Sequence, residues 1–129
     1  MARILVVEDS SSMRSFVRAA LETCDGLGEV TVEEAGSGFD ALRMLPRGQY
    51  DLVITDINMP DINGLELMRF IATSDQHRST PVLVISTQAS ERDRERGLAL
   101  GARGYLTKPF TPDQLCSLVM DVLGRRGDS

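Results

Sequence analysis

The sequence predicts a doubly wound α/β fold, in which a five-stranded parallel sheet is covered by helices on both faces. Three short runs, residues 4–7, 52–54 and 82–85, are continuous, apolar and mostly β-branched, which is typical of strands buried on both sides. Amphipathic helical patterns separate these runs. Strands that alternate with helices pair in parallel through right-handed crossovers, so the helices divide between the two faces of the sheet.

Two shorter runs complete the predicted sheet. Residues 30–32 alternate in polarity, and Tyr105 and Leu106 follow a turn signal at Gly101 and Gly104. We expect both to form outer strands.

The helical patterns predict five helices. Three serines cap the first, Pro46 and Gly48 end the second, and the third lies between the third and fourth strands. Residues 90–100 predict a fourth helix with almost no apolar face, because charged residues fill it. The fifth has Thr111 as its cap, Gln114 completing a capping box, and an end at Gly124. The apolar stripe of the first helix is Met13, Phe16, Val17, Ala20, Leu21 and Cys24.

Length and charge narrow the possible functions. The 129 residues fit one domain, which we place at 1–124, followed by a disordered polar tail at 125–129. A net charge of −5 argues against direct binding to nucleic acid. No stretch is long enough for a membrane span or a signal peptide, so we expect a cytoplasmic protein. Cys24 and Cys116 are expected to be separate, reduced residues inside helices, and His77 to be a solvated loop residue.

Polar residues follow the strands at the edge where parallel sheets bind ligands. Glu8 and Asp9 follow the first strand and Asp56 ends the third. If these strands are neighbours, three carboxylates share one site, and their mutual repulsion calls for a cation. An all-oxygen cluster suits a hard divalent ion, which predicts Mg²⁺ as the cofactor.

Asp56 is the candidate nucleophile toward phosphorus, and it would form an aspartyl-phosphate. Lys108, after the fifth strand, offers a positive charge to the phosphoryl oxygens, and Ser86, after the fourth, offers a hydroxyl donor. Taken singly, each residue is better explained as a solvated loop group or a helix cap. Their joint placement at one sheet edge favours phosphoryl transfer.

These residues resemble the motifs of response-regulator receiver domains, the CheY-like proteins of two-component signalling. The similarity extends over residues 4–123, and it implies the strand order 2-1-3-4-5. The matching motifs are Glu8-Asp9, Asp56 with Asn58-Met59-Pro60 and Gly64, Ser86, and Lys108-Pro109-Phe110.

The resemblance also implies roles for individual residues. Asp56 would accept a phosphoryl group from a sensor histidine kinase or a phosphotransfer protein, and Ser86 and Lys108 would hold that group. Ser86 and Tyr105 would act as switch residues, and the Lys108–Pro109 peptide would be cis. The implied magnesium ligands are Glu8, Asp9, Asp56 and the backbone carbonyl of Asn58, and the residues that tune the phosphoryl lifetime are Asn58 and Gln88.

The resemblance implies a signalling domain that catalyses only its own phosphorylation and dephosphorylation. A downstream protein would bind the fourth helix, fifth strand and fifth helix. A stand-alone regulator and a piece of a longer one both fit this pattern.

Two other functions were weighed against a receiver domain. A magnesium-dependent aspartyl-phosphate hydrolase usually has a second aspartate two residues after its nucleophile, where this chain has Asn58. Flavin binding would need a phosphate-binding loop rich in Gly, Ser and Thr, which the sequence lacks. Both are less well supported than a receiver domain.

Overall fold

The structure, a computed structural model, describes residues 2–87 and 91–127, leaving out the side chains of residues 93 and 125–127. In this described part, five parallel strands alternate with five helices. The strands are β1 (Ala2–Val7), β2 (Val30–Ala35), β3 (Leu52–Asp56), β4 (Val82–Ser86) and β5 (Gly104–Thr107). The helices are α1 (Ser11–Glu22), α2 (Gly38–Met44), α3 (Gly64–Thr73), α4 (Glu91–Ala99) and α5 (Pro112–Gly127).

The sheet has the order β2-β1-β3-β4-β5, which confirms the order expected from the family resemblance. All four strand pairs are parallel, and Val7 of β1 is in register with Thr55 of β3. The ends of β1 and β3 therefore lie side by side. None of the described helices is long and apolar enough to cross a membrane.

Two hydrophobic clusters lie on opposite faces of the sheet, because successive strand side chains point to opposite sides. Leu5 and Val7 of β1 pack in the cluster that includes residues of α2 and α3. Ile4 and Val6 pack in the other cluster, with α1 and α5. The three central strands are buried along most or all of their length, as their continuous apolar runs predicted.

The edge strand β2 is longer than predicted and continues through Glu33 and Glu34 to Ala35. Cations compensate both carboxylates: Arg3 pairs with Glu33, and Arg14 and Arg18 pair with Glu34. A hydrogen bond from Arg18 lowers the pKa of Glu34 below its ordinary value. In the sequence, the alternation of apolar and polar residues stops at two charged residues. The last three residues of the strand were therefore not predicted.

The predicted caps of α1 and α5 are confirmed, whereas the predicted start of the fourth helix, Ser90, lies outside the described residues. The Ser10 hydroxyl accepts a hydrogen bond from the Met13 N–H at the start of α1. At the start of α5, Thr111 and Gln114 form the reciprocal capping box. The predicted end of α5 at Gly124 was wrong, because the helix continues to Gly127. Among the described glycines only Gly28 and Gly101 have positive φ, so Gly124 lacks the left-handed conformation that commonly ends a helix.

The prediction that Cys24 and Cys116 are separate and reduced was wrong. They form a disulfide bond, with Cα atoms 5.7 Å apart and 92 positions between them in sequence. Cys24 lies just beyond the C-cap of α1 rather than inside the helix, and Cys116 lies in α5. Their spacing in sequence carries no sign of this contact, which arises only when α1 and α5 pack side by side.

The prediction of a solvated His77 was also wrong. Its side chain is 1% exposed, and Nε2 lies 2.6 Å from the carbonyl oxygen of Leu45. The ring of Tyr50 lies nearby, with 6.3 Å between ring centroids. A long-range contact with the 3₁₀ turn after α2 thus buries a histidine whose sequence neighbours are polar.

Candidate functional site

The site lies where β1 and β3 end. Glu8 and Asp9 follow β1 directly, and Asp56 is the last residue of β3. The side chains of Glu8 and Asp56 are buried, whereas Asp9 is exposed. Each of the three offers a carboxylate oxygen, and these atoms lie within 4.8 Å of one another. The structure therefore brings together the acidic cluster predicted from the sequence.

Lys108 connects two of these carboxylates. Its Nζ lies 2.9 Å from Oδ2 of Asp56 and 3.0 Å from Oε2 of Glu8. It is the only lysine in a chain that contains 13 arginines, and it is largely buried within the site. A single positive charge is thus shared between two buried negative groups at the end of the sheet.

The electrostatics of the pocket favour a further cation. Burial, together with a hydrogen bond to Asp56, raises the pKa of Glu8 from 4.5 to about 7, and Lys108 only partly offsets this rise. Burial by itself lowers the pKa of Lys108, but hydrogen bonds to Asp56 and Glu8 outweigh it and leave that pKa above its ordinary value. The charge of Lys108 therefore does not by itself make the ionised state of Glu8 favourable.

The donor set fits Mg²⁺. The three clustered side chains offer only oxygen ligands, and a small, hard divalent ion binds such ligands in preference to nitrogen or sulfur. Glu8 also accepts a hydrogen bond from the Ser10 N–H, 3.2 Å away, which orients its Oε1 atom.

The loop after β3 folds tightly around Asp56. The Asn58 N–H donates to Oδ1 of Asp56 over 3.2 Å, so Lys108 and Asn58 contact different oxygens of the same carboxylate. The Gly64 N–H donates to the Ile57 carbonyl over 2.9 Å. A Cβ on Gly64 would lie 2.2 Å from the Asp56 carbonyl oxygen, so a side chain at this position is incompatible with the observed loop.

Ser86 and Tyr105 lie on the two strands beyond β3. Ser86 is buried at the end of β4, and its carbonyl oxygen accepts a hydrogen bond from the Lys108 N–H over 2.8 Å. Tyr105 is half-buried in β5, with the Arg94 guanidinium 5.8 Å from its ring centroid. The Lys108–Pro109 peptide is cis, as the resemblance implied. Gln88 lies outside the described residues.

Two supporting residues were not identified from the sequence. Arg14 of α1 donates from Nη1 to the carbonyl oxygen of Glu8 over 2.6 Å and from Nε to Glu34 over 3.1 Å. Asp61 accepts hydrogen bonds from the N–H groups of Gly38 and Phe39 at the start of α2. The Phe39 bond is the main reason that the pKa of Asp61 falls to about 2.

No local pattern marks these two contacts. Arg14 is one of two arginines in the amphipathic α1, and Asp61 is an ordinary loop residue by its neighbours. Arg14 thus links the loop after β1 to α1, and Asp61 links the loop after β3 to α2.

Comparison with known proteins agrees with this geometry. The family model for the response regulator receiver domain matches residues 4–120. A chemotaxis protein CheY homolog of Campylobacter jejuni is 35% identical over 123 residues, covering 95% of this chain and 92% of that protein. Chemotaxis protein CheY-3 of Vibrio cholerae is 38% identical over 109 residues, covering 84% of this chain and 82% of that protein.

Solved structures share the architecture. The chemotaxis response regulator CheY4 of Vibrio cholerae aligns with a TM-score of 0.84 at 35% identity, covering 95% of this chain and 98% of that one. A CheY-like receiver domain protein from Methanospirillum hungatei aligns with a TM-score of 0.89 over 99% of this chain and 98% of that one. At 23% identity, this second likeness concerns the fold alone.

Proposed function

This chain belongs to the response regulator receiver domain family, and we propose that it is switched by a phosphoryl group accepted on Asp56. One observation carries the proposal: Asp56 lies at the end of a central strand, in contact with Lys108 and within an acidic cluster. The carboxylate has the environment that a nucleophile toward phosphorus needs, with a cation beside the oxygens that receive charge.

We propose Mg²⁺ as the cofactor, held by Asp9, Asp56 and the backbone carbonyl of Asn58. Glu8 would complete the set, directly or through a water molecule. When bound, the ion neutralises negative charge on the transferring phosphoryl group. The fit of an all-oxygen donor set and the raised pKa of Glu8 support this assignment.

In the proposed reaction, a carboxylate oxygen of Asp56 attacks phosphorus, and the bond from phosphorus to the donor breaks as the new O–P bond forms. The donor would be a phosphohistidine on a sensor histidine kinase or on a phosphotransfer protein. The Lys108 ammonium and the Ser86 hydroxyl would bind the phosphoryl oxygens. Hydrolysis of the acyl phosphate would reset the domain, with Asn58 and Gln88 tuning its lifetime.

We propose that the output is a change in protein binding. Ser86 and Tyr105 would change state with phosphorylation, and a downstream protein would bind the surface of α4, β5 and α5. Exposure of most of α4 and half-burial of Tyr105 support a surface that can rearrange at small cost. We place the protein in the cytoplasm, where its kinase partners present their phosphorylated domains.

The alternative of a hydrolase acting on small phosphate esters is not favoured. The side-chain amide of Asn58 cannot act as the general acid. The backbone N–H of Asn58 donates a hydrogen bond to Asp56. The Asn58 side chain is exposed, in keeping with a role in phosphoryl lifetime rather than in turnover.

The proposal is tested with acetyl phosphate and Mg²⁺, with intact-mass and peptide mass spectrometry locating the added phosphoryl group. We expect one group on Asp56 and none on Asp56→Asn. Asp75→Asn is the matched control, because the Asp75 side chain is fully exposed, and it should be modified like the native chain. Modification elsewhere, or steady phosphate release from many small esters, would contradict a receiver function.

A further inference from the structure

The disulfide joins two helices that lie on the same face of the sheet. Cys24 follows α1 and Cys116 lies in the second turn of α5, so residues distant in sequence are linked covalently. The 5.7 Å between their Cα atoms lies within the range that disulfides adopt, roughly 4.4–6.8 Å. The backbone thus presents the two sulfur atoms to each other without displacement of either helix.

The contacts around the bond connect α1 and the segment after it with α5 and the loop before it. Nearer the acidic site, the rings of Phe16 and Phe110 pack edge to face with centroids 5.7 Å apart. Farther along α1, the disulfide makes the second link. One turn beyond Cys116, the Met120 side chain lies against Gly26, in the 3₁₀ turn Asp25–Leu27 that follows Cys24. Noncovalent contacts thus lie on both sides of the bond.

The two cysteine residues differ in their exposure to solvent. Cys24 is 5% exposed and packs beneath the α1–α5 junction, whereas Cys116 is only partly buried. A reagent in solution therefore reaches Cys116 first, and Cys24 is positioned to react only with Cys116. This is the arrangement of an attacking and a resolving cysteine.

We propose that Cys24 and Cys116 form a reversible thiol–disulfide exchange site whose substrates are low-molecular-weight disulfides such as oxidised glutathione. In a reducing cytoplasm both would be thiols, and oxidation would form the observed bond. The site is separate from the acidic pocket, because neither cysteine contacts Glu8, Asp56 or Lys108 among the described contacts. Oxidation therefore fixes α5 against the end of α1 as a second input, which does not act through the acidic pocket.

The exchange proceeds in two balanced steps. The Cys116 thiolate attacks one sulfur of the reagent disulfide, forming a mixed disulfide and releasing one thiol. The Cys24 thiolate then attacks the Cys116 sulfur, forming the internal bond and releasing the second thiol. Two protein thiols lose two electrons and two protons, and one reagent disulfide becomes two thiols.

The test equilibrates the full chain, under nitrogen, with graded ratios of oxidised to reduced glutathione. The reaction is then quenched with acid and the free thiols are alkylated. Intact-mass spectrometry measures the amounts of the reduced, glutathione-bound and internally bonded chains. We expect the two thiols to disappear together into an internal bond, and to return when reduced glutathione is added without denaturant. The oxidised chain should melt about 10 °C higher than the reduced chain, because the bond closes a long loop.

Single variants separate the two roles. Cys24→Ser should accumulate glutathione on Cys116, whereas Cys116→Ser should keep a free Cys24 at the same ratio. Cys24→Ala repeats the first experiment with an apolar residue if the buried serine impairs folding, which circular dichroism reports. Asp56→Asn should form the internal bond as the native chain does, so failure of the phosphoacceptor proposal would leave this result unchanged.

Three results would overturn the proposal. In the first, both thiols stay free at every glutathione ratio. In the second, the bond forms but is reduced only after unfolding. In the third, Cys24 and Cys116 take up glutathione equally in the single variants.

Discussion

At the residue scale, Lys108 has the most direct influence on the site, because it neutralises two carboxylates at once. Its Nζ contacts Asp56 and Glu8 over 2.9 and 3.0 Å. A lysine presents a compact charge on a flexible stem, which suits the proposed transfer, because the charge could then follow the phosphoryl oxygens. An arginine would present a planar fork in the same space.

We expect Lys108→Met to lower the rate of modification by acetyl phosphate about 100-fold, which is typical for loss of one stabilising charge or donor in a site. The physical reason is that negative charge on the transferring group loses its protein cation. Mass spectrometry of Asp56 over time measures the rate. Arg47→Met, which removes an exposed cation from the 3₁₀ turn after α2, should leave the rate unchanged. Equal rates for native and Lys108→Met proteins would exclude the assigned role.

Glu8 gives the metal-free protein a pH-dependent stability. Its pKa rises from 4.5 to about 7 on folding, so the folded state binds a proton more tightly than the unfolded chain. The stability from this group is fully present below pH 4.5 and is lost as pH rises to about 7. The loss is about 3 kcal/mol at most, because one pKa unit corresponds to about 1.4 kcal/mol.

Urea unfolding between pH 5 and 8 in the presence of a chelator measures this loss. Glu8→Gln should flatten the pH dependence, because the amide does not ionise. Added Mg²⁺ should restore stability at the upper end of the range. A native protein whose metal-free stability is constant over this range would show that Glu8 ionises freely.

The sequence was informative about these residues because each follows a strand, and parallel strands deliver their final residues to one edge. It was silent about Arg14, whose bond to the Glu8 carbonyl depends on how α1 packs against β2. Residue type and spacing locate groups along the chain, whereas their partners across the sheet depend on packing.

At the scale of elements, the loop between β3 and α3 depends on Gly64. The Gly64 N–H bonds to Ile57, and the missing side chain lets the start of α3 approach the Asp56 backbone. Asn63 caps the helix by accepting from the Glu66 N–H over 2.9 Å. The loop that follows Asp56 is thus held at both ends.

We expect Gly64→Ala to destabilise the protein by about 1–3 kcal/mol, because a Cβ would lie 2.2 Å from the Asp56 carbonyl oxygen. Gly124→Ala is the matched control. A Cβ there meets nothing within 4 Å, and alanine favours the α5 helix by about 0.5–1 kcal/mol. Chemical denaturation measures both. Similar stability changes in the two variants would show that close backbone approach at Gly64 is unimportant.

The types of the elements and their order along the chain followed from periodicity. The errors in the elements were at the end of α5 and at the end of the edge strand β2. Helix α5 passes through Gly124 because this glycine keeps helical geometry, and β2 passes through two glutamates because arginines face them. At β2, contacts with another part of the chain overrode the local rule.

At the scale of the whole molecule, the two helical layers differ in how firmly they are attached. Helices α1 and α5 contribute buried residues such as Leu21, Val119 and Val122 and are linked by a disulfide. In α4, Gly97 is the only buried residue among those whose burial the structure describes. The layer on one side of the sheet is anchored, whereas α4 on the other is loosely packed.

Native-state hydrogen exchange should therefore show α4 amides exchanging faster than those of α1 and α5, since local opening exposes little apolar surface there. Beryllofluoride with Mg²⁺ should change protection in α4 and β5 more than in α1. Uniform protection in all helices, with no response to the phosphoryl mimic, would contradict an output surface at α4 and β5.

The contacts that escaped prediction at this scale are those between distant segments. The Cys24–Cys116 bond and the burial of His77 against Leu45 join residues that are 92 and 32 positions apart. Each of these contacts depends on which face of a helix packs against another element. Neither the spacing of the cysteines nor the polarity of the neighbouring residues indicates this packing.

The central claim is that Asp56 accepts a phosphoryl group in a pocket completed by Mg²⁺. A crystal structure of the native chain with Mg²⁺ and beryllofluoride tests it most directly. We predict beryllofluoride bonded to an Asp56 oxygen, with fluorines contacted by Lys108 and Ser86, and Mg²⁺ bound to Asp9, Asp56 and the Asn58 carbonyl. Beryllofluoride or the metal bound elsewhere, with Lys108 still paired to Asp56 and Glu8, would contradict it.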